Sequence, residues 1–198
     1  VSDQELRLPQ PPLVKAAAAA PETHIRLPEP ESTPLAESDL TELLRSRRSY
    51  RSYGDTPLTL QQLSYLLWAG QGITGIKGEN YATMRTVPSG GARHPFETYI
   101  LCRNVAGLDP GAYHYLPMEH ALEYLGAVEA MSETISAALL EQKWAARAGV
   151  VFFWSVVPYR AEWRYGIRAH RTILIDAGHV GQNHYLAATA LGLGTCTV

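Results

Sequence analysis

Val150-Val151-Phe152-Phe153-Trp154-Ser155-Val156-Val157 is an apolar run rich in β-branched and aromatic side chains and far too short to span a bilayer. Such a run reads as a central strand with both faces covered, which implies helices on either side of a sheet. The sequence supplies them. From Met131 to about Arg147 a helical period returns, and from about Arg168 to Leu191 a long helix is expected. In that helix Ala177, Gly178, Gly181, Ala187, Ala188 and Ala190 are small, so a second helix can approach closely; it is expected to be buried and to lie at a subunit contact.

Working outward, Thr98 to Cys102 has strand composition, Asp109-Pro110-Gly111 is turn chemistry, and Tyr113–Tyr115 with Leu122–Leu125 continues an antiparallel meander. Upstream, Ser38 is placed as an N-cap, and Leu40, Leu43 and Leu44 recur at helical spacing. Thr59-Leu60-Gln61-Gln62 has the spacing of a capping box before Leu63, Leu66 and Leu67, with Gly70 as the left-handed helix end. Gly72, Gly75 and Gly78 then mark a loose loop to about Tyr81. Residues 1–37 hold seven of the thirteen prolines and the run Ala16–Ala20, an extended arm whose Ile25-Arg26-Leu27-Pro28 can pack on the body or a second subunit. The expectation is an α+β fold over residues 38–198, a central mixed sheet flanked by helices.

Composition removes several function classes. With 17 Lys+Arg against 19 Asp+Glu there is no global field to hold a polyanion, so nucleic acid is not an expected partner. Cys102 and Cys196 lie in apolar runs without a CxxC, which disfavours a disulfide framework or thiolate metal site and suits a reducing cytoplasm. No membrane span or signal peptide is read. His179 and His184, five apart, point about 140° from each other on a helix and cannot share a metal; His179 is expected as a core histidine hydrogen-bonded near Asp176. No metal site is expected. Ser89 lacks the G-x-S-x-G elbow of a hydrolase. The chain begins without Met and stops at Thr197-Val198 in what reads as the start of a strand, so a longer protein is expected.

Chemistry is concentrated in three places. Arg45-Ser46-Arg47-Arg48-Ser49-Tyr50-Arg51 gathers four guanidinium groups at a helix end, a donor set that matches phosphate. Pro88-Ser89-Gly90-Gly91-Ala92 precedes a strand, and its paired glycines let backbone come close to a flat or anionic ligand. Asp176-Ala177-Gly178-His179 with Gln182-Asn183, then Leu191-Gly192-Leu193-Gly194-Thr195, close the set.

Taken in order, Arg47-x-Ser49-x-Arg51, Leu58–Leu63 with Leu66-Leu67-Trp68-Ala69, the PSGGA segment running into Glu97-Thr98-Tyr99, Pro110–Tyr115, DAGHxxQN and ALGLGT resemble the SagB-type dehydrogenases of the nitroreductase superfamily, over roughly Leu40 to Val198. The resemblance implies an FMN-dependent homodimer with two flavins at the subunit interface. It implies that Arg47, Arg48, Ser49 and Arg51 hold the flavin phosphate and pyrimidine end, that Pro88, Ser89, Gly90 and Gly91 lie along the partner's isoalloxazine, and that Gln142, on the helix before the apolar strand, meets the ring. In the azoline-oxidising branch a Lys-Tyr pair takes part in proton removal; here the pair reads Arg164-Tyr165. A guanidinium cannot accept a proton but stabilises a phenolate, so Tyr165 becomes the acid/base and Arg164 its electrostatic partner.

The implied function is dehydrogenation of a heterocyclic or peptide-derived substrate, with azoline to azole as the leading case. Two alternatives stay open: an NAD(P)H-dependent nitro or quinone reductase, and a non-catalytic flavin-fold subunit of a tailoring complex.

Overall fold

The computed structural model describes residues 1–198. Its elements are β1 (Ile25–Arg26), α1 (Leu40–Ser46), α2 (Leu60–Gln71), β2 (Ile73–Lys77), β3 (Ala82–Arg85), β4 (Phe96–Cys102), β5 (Gly111–Leu116), β6 (Ala121–Gly126), α3 (Met131–Ala138), β7 (Val150–Val156), α4 (Tyr159–Tyr165) and α5 (Ala169–Ala190). Five strands form one sheet in the order β1-β6-β5-β4-β7, and β2-β3 form a separate hairpin. The fold is α+β, as expected.

Every strand pair in the sheet is antiparallel, and parallel pairing is confined to the isolated bridges Ser49–Thr195 and Leu58–Val105. The mixed character expected of the sheet is therefore marginal here, because β4, β5 and β6 follow one another through short reversals. The apolar run at β7 is also not central: it pairs with β4 alone, from Phe96–Val156 to Cys102–Val150, and forms the outer edge. A continuous apolar run reports covered faces rather than paired edges, and both faces of β7 are indeed packed. Val151 lies against the Ile135, Ala145 and Ala146 cluster, and Phe152 against the clusters that α2 and α5 build.

The two faces of β4 differ in chemistry because side chains alternate. Ile100 and Cys102 meet Leu63 and Leu67 of α2, and Phe96 meets Val180 of α5. On the opposite face lie Glu97, His114 and Glu123, all buried, with Arg160 of α4 ion-paired to Glu97 and His114 Nε2 3.1 Å from Glu97. The N-terminal arm roofs this row. Lys15 N–H donates to Glu97 at 2.8 Å, and the Ala18 and Ala19 N–H groups donate to Glu123 at 2.6 and 2.5 Å. Further along the arm, Ile25 and Arg26 pair with β6, and Leu27 is buried in the core.

Several local expectations need correction. Asp39, not Ser38, caps α1, its carboxylate accepting from Glu42 N–H. The capping box at Thr59 is present, but α2 runs through Gly70 to Gln71. Gly70 is required by packing instead, since a Cβ there would collide with the His184 ring. The segment read as a loose loop folds as the β2-β3 hairpin. The helix expected from Met131 to Arg147 stops at Ala138, where Leu140 and Glu141 take positive φ of 53° and 62°. Gln142 consequently sits in a turn rather than on a helix.

Candidate functional site

Two clusters gather the polar residues of interest, one near each end of α5. At its C-terminal end, α1 delivers the cationic corner. Arg47 lies over the Tyr185 ring at 5.2 Å, and Ser49 Oγ is 3.0 Å from the Tyr185 hydroxyl. The Tyr185 oxygen also accepts the Thr197 N–H at 3.0 Å, and Tyr50 N–H donates to Thr195 O at 2.9 Å, so the segment after α5 pins the corner in place. Of the four guanidiniums only Arg45 has a carboxylate partner, Glu42. Arg48 donates only to the carbonyls of Arg45 and Arg47, and Arg51 lies 5.9 Å above the Trp144 ring. Three cations and a hydroxyl without a compensating anion make a donor set suited to a phosphate dianion.

Near the N-terminal end of α5, the glycine segment is held by a buried carboxylate. Ser89 Oγ donates to Asp176 Oδ2 at 2.6 Å, Gly90 N–H donates to Asp176 Oδ1 at 3.1 Å, and His94 N–H donates to Ser89 Oγ at 2.9 Å. Gly91 has φ 61°, in the left-handed region. A Cβ on Gly91 would stand 2.5 Å from Arg164 Cδ, 2.7 Å from Arg164 Nε and 2.9 Å from the Tyr165 hydroxyl, while one on Gly90 would run into Thr172. Arg164 and Tyr165 therefore converge on the glycine turn, with the Arg164 guanidinium 5.8 Å from the Tyr165 ring. The fold brings this pair, expected from the family resemblance, to the glycine segment expected as a ligand cradle.

Asp176 and Tyr185 are nine residues apart on α5, which separates the clusters by about 13 Å along the axis and about half a turn around it. On the side of α5 turned away from Asp176 the helix presents an unpartnered apolar face: Leu174 is 71% and Ile175 54% exposed, with Gly178 also open and Ile167 just before the helix 90% exposed. The long helix is thus buried on one side only.

A cleft of about 940 Å3 lies beside the cationic corner, lined largely by apolar groups including Tyr53, Trp144, Phe152, Trp154 and His184. Burial pushes the His184 imidazole down to about 4, so it is a neutral wall of this cleft. Gln142 does not line the cleft and is brought to neither cluster. Pro88 is exposed beside the glycine turn.

Tyr185 and the anchoring role of Asp176 were not read from sequence. Asp176 stood in a motif noted as helix packing, and only the fold shows what its carboxylate holds. His179 is not hydrogen-bonded to it; His179 Nδ1 is buried without a partner, while Ser89 and Gly90 each donate to one Asp176 oxygen.

The Nitroreductase family model matches residues 44–198. The chain is 38% identical over 174 residues to the Methanocaldococcus jannaschii protein MJ1384, which carries the name of a nitroreductase, a match covering 88% of this chain and 82% of that one. It is 35% identical over 116 residues to TfxB, a trifolitoxin-processing protein of Rhizobium leguminosarum bv. trifolii; that match takes in 55% of this chain and 30% of TfxB, so the chain spans less than a third of that relative's length. A crystal structure from Ralstonia eutropha JMP134, also described as a nitroreductase, superposes with a TM-score of 0.68 at 28% identity, covering 94% of this chain and 83% of that one. Both polar clusters and strands β2 to β7 fall inside the span of the family model, and the chain belongs to the Nitroreductase family of oxidoreductases.

Proposed function

We propose that the protein is an FMN-dependent dehydrogenase of SagB type that oxidises an azoline in a peptide-like substrate to an azole, and that it works as a homodimer with two shared sites. The observation that carries this reading is the placement of the two clusters on opposite sides of α5, with an exposed apolar face at Leu174 and Ile175 on the side away from Asp176. A two-fold partner packed on Leu174 and Ile175 would bring the cationic corner of one protomer toward the glycine turn of the other. The likeness to TfxB, named as a trifolitoxin-processing protein, favours a processing enzyme over a general reductase. On this reading residues 38–198 carry the flavin chemistry and residues 1–37 form the arm.

The residues fit FMN. Arg47, Arg48, Ser49 and Arg51 would hold the phosphate and pyrimidine end, and Ser89, Gly90 and Gly91 with Pro88 would face the ring; Gln142 has no support from the fold for such a contact. Bound there, FMN supplies a hydride acceptor. Oxidation of an azoline removes one hydride and one proton from adjacent ring carbons. The Tyr165 oxygen takes the proton, and the Arg164 guanidinium beside it stabilises the phenolate that must be present first. The electron pair passes finally to an acceptor such as dioxygen.

The test is the visible spectrum of the purified protein and identification of the pigment released by heat. Replacing Arg47 and Ser49 together with Ala should abolish the flavin absorbance, whereas Tyr165→Phe should keep it and lose turnover of a thiazoline peptide. A colourless protein that refuses added FMN would favour the non-catalytic reading, and oxidation of NAD(P)H by nitro compounds or quinones the reductase reading. Leu174→Arg should halve the mass in solution and release flavin; a flavin-loaded monomer would sink the shared site.

A further inference from the structure

Arg164 has no carboxylate partner, and the single hydrogen bond made by its guanidinium is to a side chain outside its own helix: Arg164 Nη1 donates to the Tyr81 hydroxyl at 3.2 Å. Tyr81 stands at the turn of the β2-β3 hairpin, next to the start of β3, and its N–H closes that turn on Lys77 O at 3.0 Å. Its hydroxyl oxygen accepts a second donor, Gln4 Nε2, at 3.0 Å. Gln4 belongs to the N-terminal arm and is itself fixed by α4, because its N–H donates to Trp163 O at 2.8 Å. That carbonyl is one of those the last turn of a helix leaves without an internal partner. Trp163 returns a bond, its indole N–H donating to Leu8 O at 3.0 Å, and Tyr159 at the start of α4 donates to Asp3 at 2.9 Å. Residues 3–8 therefore run along α4 and tie its carboxyl end to the hairpin.

We propose that Tyr81 is a positioning residue which, braced by Gln4 of the arm, holds the Arg164 guanidinium against Gly91 and the Tyr165 hydroxyl. This rests on the dehydrogenase reading only for its consequence in turnover; the positioning itself is a property of the fold. A long arginine side chain has several rotatable bonds, and without an acceptor on the far side its guanidinium would spend much of its time in solvent. The Tyr81 ring also stacks with Arg93, whose guanidinium lies 4.9 Å above it and donates to the Tyr81 carbonyl at 3.1 Å. Tyr81→Phe would keep both contacts and remove only the hydroxyl. The arm thus contributes a built-in brace to the substrate-facing pair rather than serving as a mere tail.

The experiment uses FMN-loaded protein labelled with 15N-arginine, with the Arg164 side-chain N–H resonances assigned from Arg164→Lys. In Tyr81→Phe and in Gln4→Ala those resonances should move and broaden while the Arg93 resonances stay. With a synthetic thiazoline peptide and dioxygen, Tyr81→Phe should lower kcat by about 10- to 100-fold with KM and flavin absorbance retained. In an Arg164→Ala background the same substitution should have no further effect. Unchanged Arg164 resonances would overturn the inference, as would full kcat in Tyr81→Phe when Arg164→Ala has lost turnover. If the resonances move but wild-type protein leaves the thiazoline untouched, the positioning stands and the dehydrogenase reading fails.

Discussion

Ser89 and Asp176 meet at 2.6 Å across 87 residues of chain, a bond that fastens the glycine turn to the N-terminal half of α5. Asp176 is only 3% exposed, and Gly90 N–H takes its other oxygen. Asp176→Ala would strand both donors, at a cost of about 1–3 kcal/mol each. Urea unfolding should show this loss, and flavin uptake should weaken with it. Asp176→Asn keeps one acceptor oxygen and should lose about half as much.

Gly91→Ala should separate folding from chemistry. Alanine at a left-handed φ of 61° costs about 1–2 kcal/mol. The added methyl would also displace Arg164 and the Tyr165 hydroxyl, which stand 2.5 and 2.9 Å from its position. The variant should fold with a modestly lowered urea midpoint and lose turnover. Combining it with Arg164→Ala, which vacates the nearer contact, should recover part of the lost stability but none of the activity; equal stability losses added together would show that the two side chains do not compete for that space.

What could be read from the chain was what repeats along it or is concentrated in it. The meander from β4 to β6, the capping box at Thr59 and the extent of α5 all declare themselves by period or by a cap. The edge position of β7 did not, because Val150–Val157 records apolar contacts on the strand's faces and says nothing about which backbone edge finds a partner. The early end of α3 was hidden as well: Leu140 and Glu141 are ordinary helix formers, and nothing in their composition signals the positive φ they take. At the candidate site, the cationic corner and the glycine turn were visible as local clusters. Tyr81, Asp176 and Tyr185 were not, since each matters through a partner more than 80 residues away in the chain.

His184 gives the fold a definite response to acid. Burial among Phe152, Trp154 and Gly70 holds its imidazole down to about 4, against about 6.5 in an unfolded chain. Below pH ~6.5 the unfolded chain binds a proton that the folded one refuses, so the stability this residue contributes is complete above that pH and is lost as pH falls toward about 4, by up to ~1.4 kcal/mol per unit. His94, pushed down to about 3 by burial and by the neighbouring Arg85, works in the same direction. Urea midpoints measured between pH 4 and 7 should fall steadily with acidity, and His184→Leu should flatten that slope whatever it does to the midpoint at pH 7.

At still lower pH the arm should let go. Burial alone would raise the Glu97 carboxyl, but the His114 hydrogen bond, the Arg160 guanidinium and the Lys15 N–H together outweigh it and hold the group below the ordinary carboxylate range. Glu123 is lowered in the same sense, burial again opposed by the N–H groups of Ala19 and Ala18 and by His114. Both carboxylates therefore contribute stability that is present above their ordinary unfolded values near ~4.3 and is lost as pH falls through the lower folded values. Arg160 is 3% exposed and also donates to Pro12 O at 2.9 Å, so Arg160→Met would leave Glu97 buried without its charge partner and free the arm at one point, a loss of about 3–5 kcal/mol. In that variant the Glu97 carboxyl should take up its proton at higher pH. Protease cleavage between residues 9 and 20 should then begin at a less acidic pH than in the wild type, while cleavage elsewhere follows global unfolding. Identical cleavage onsets in the two proteins would mean that the arm is held by its apolar contacts at Leu27 and Ile25 rather than by the carboxylate row.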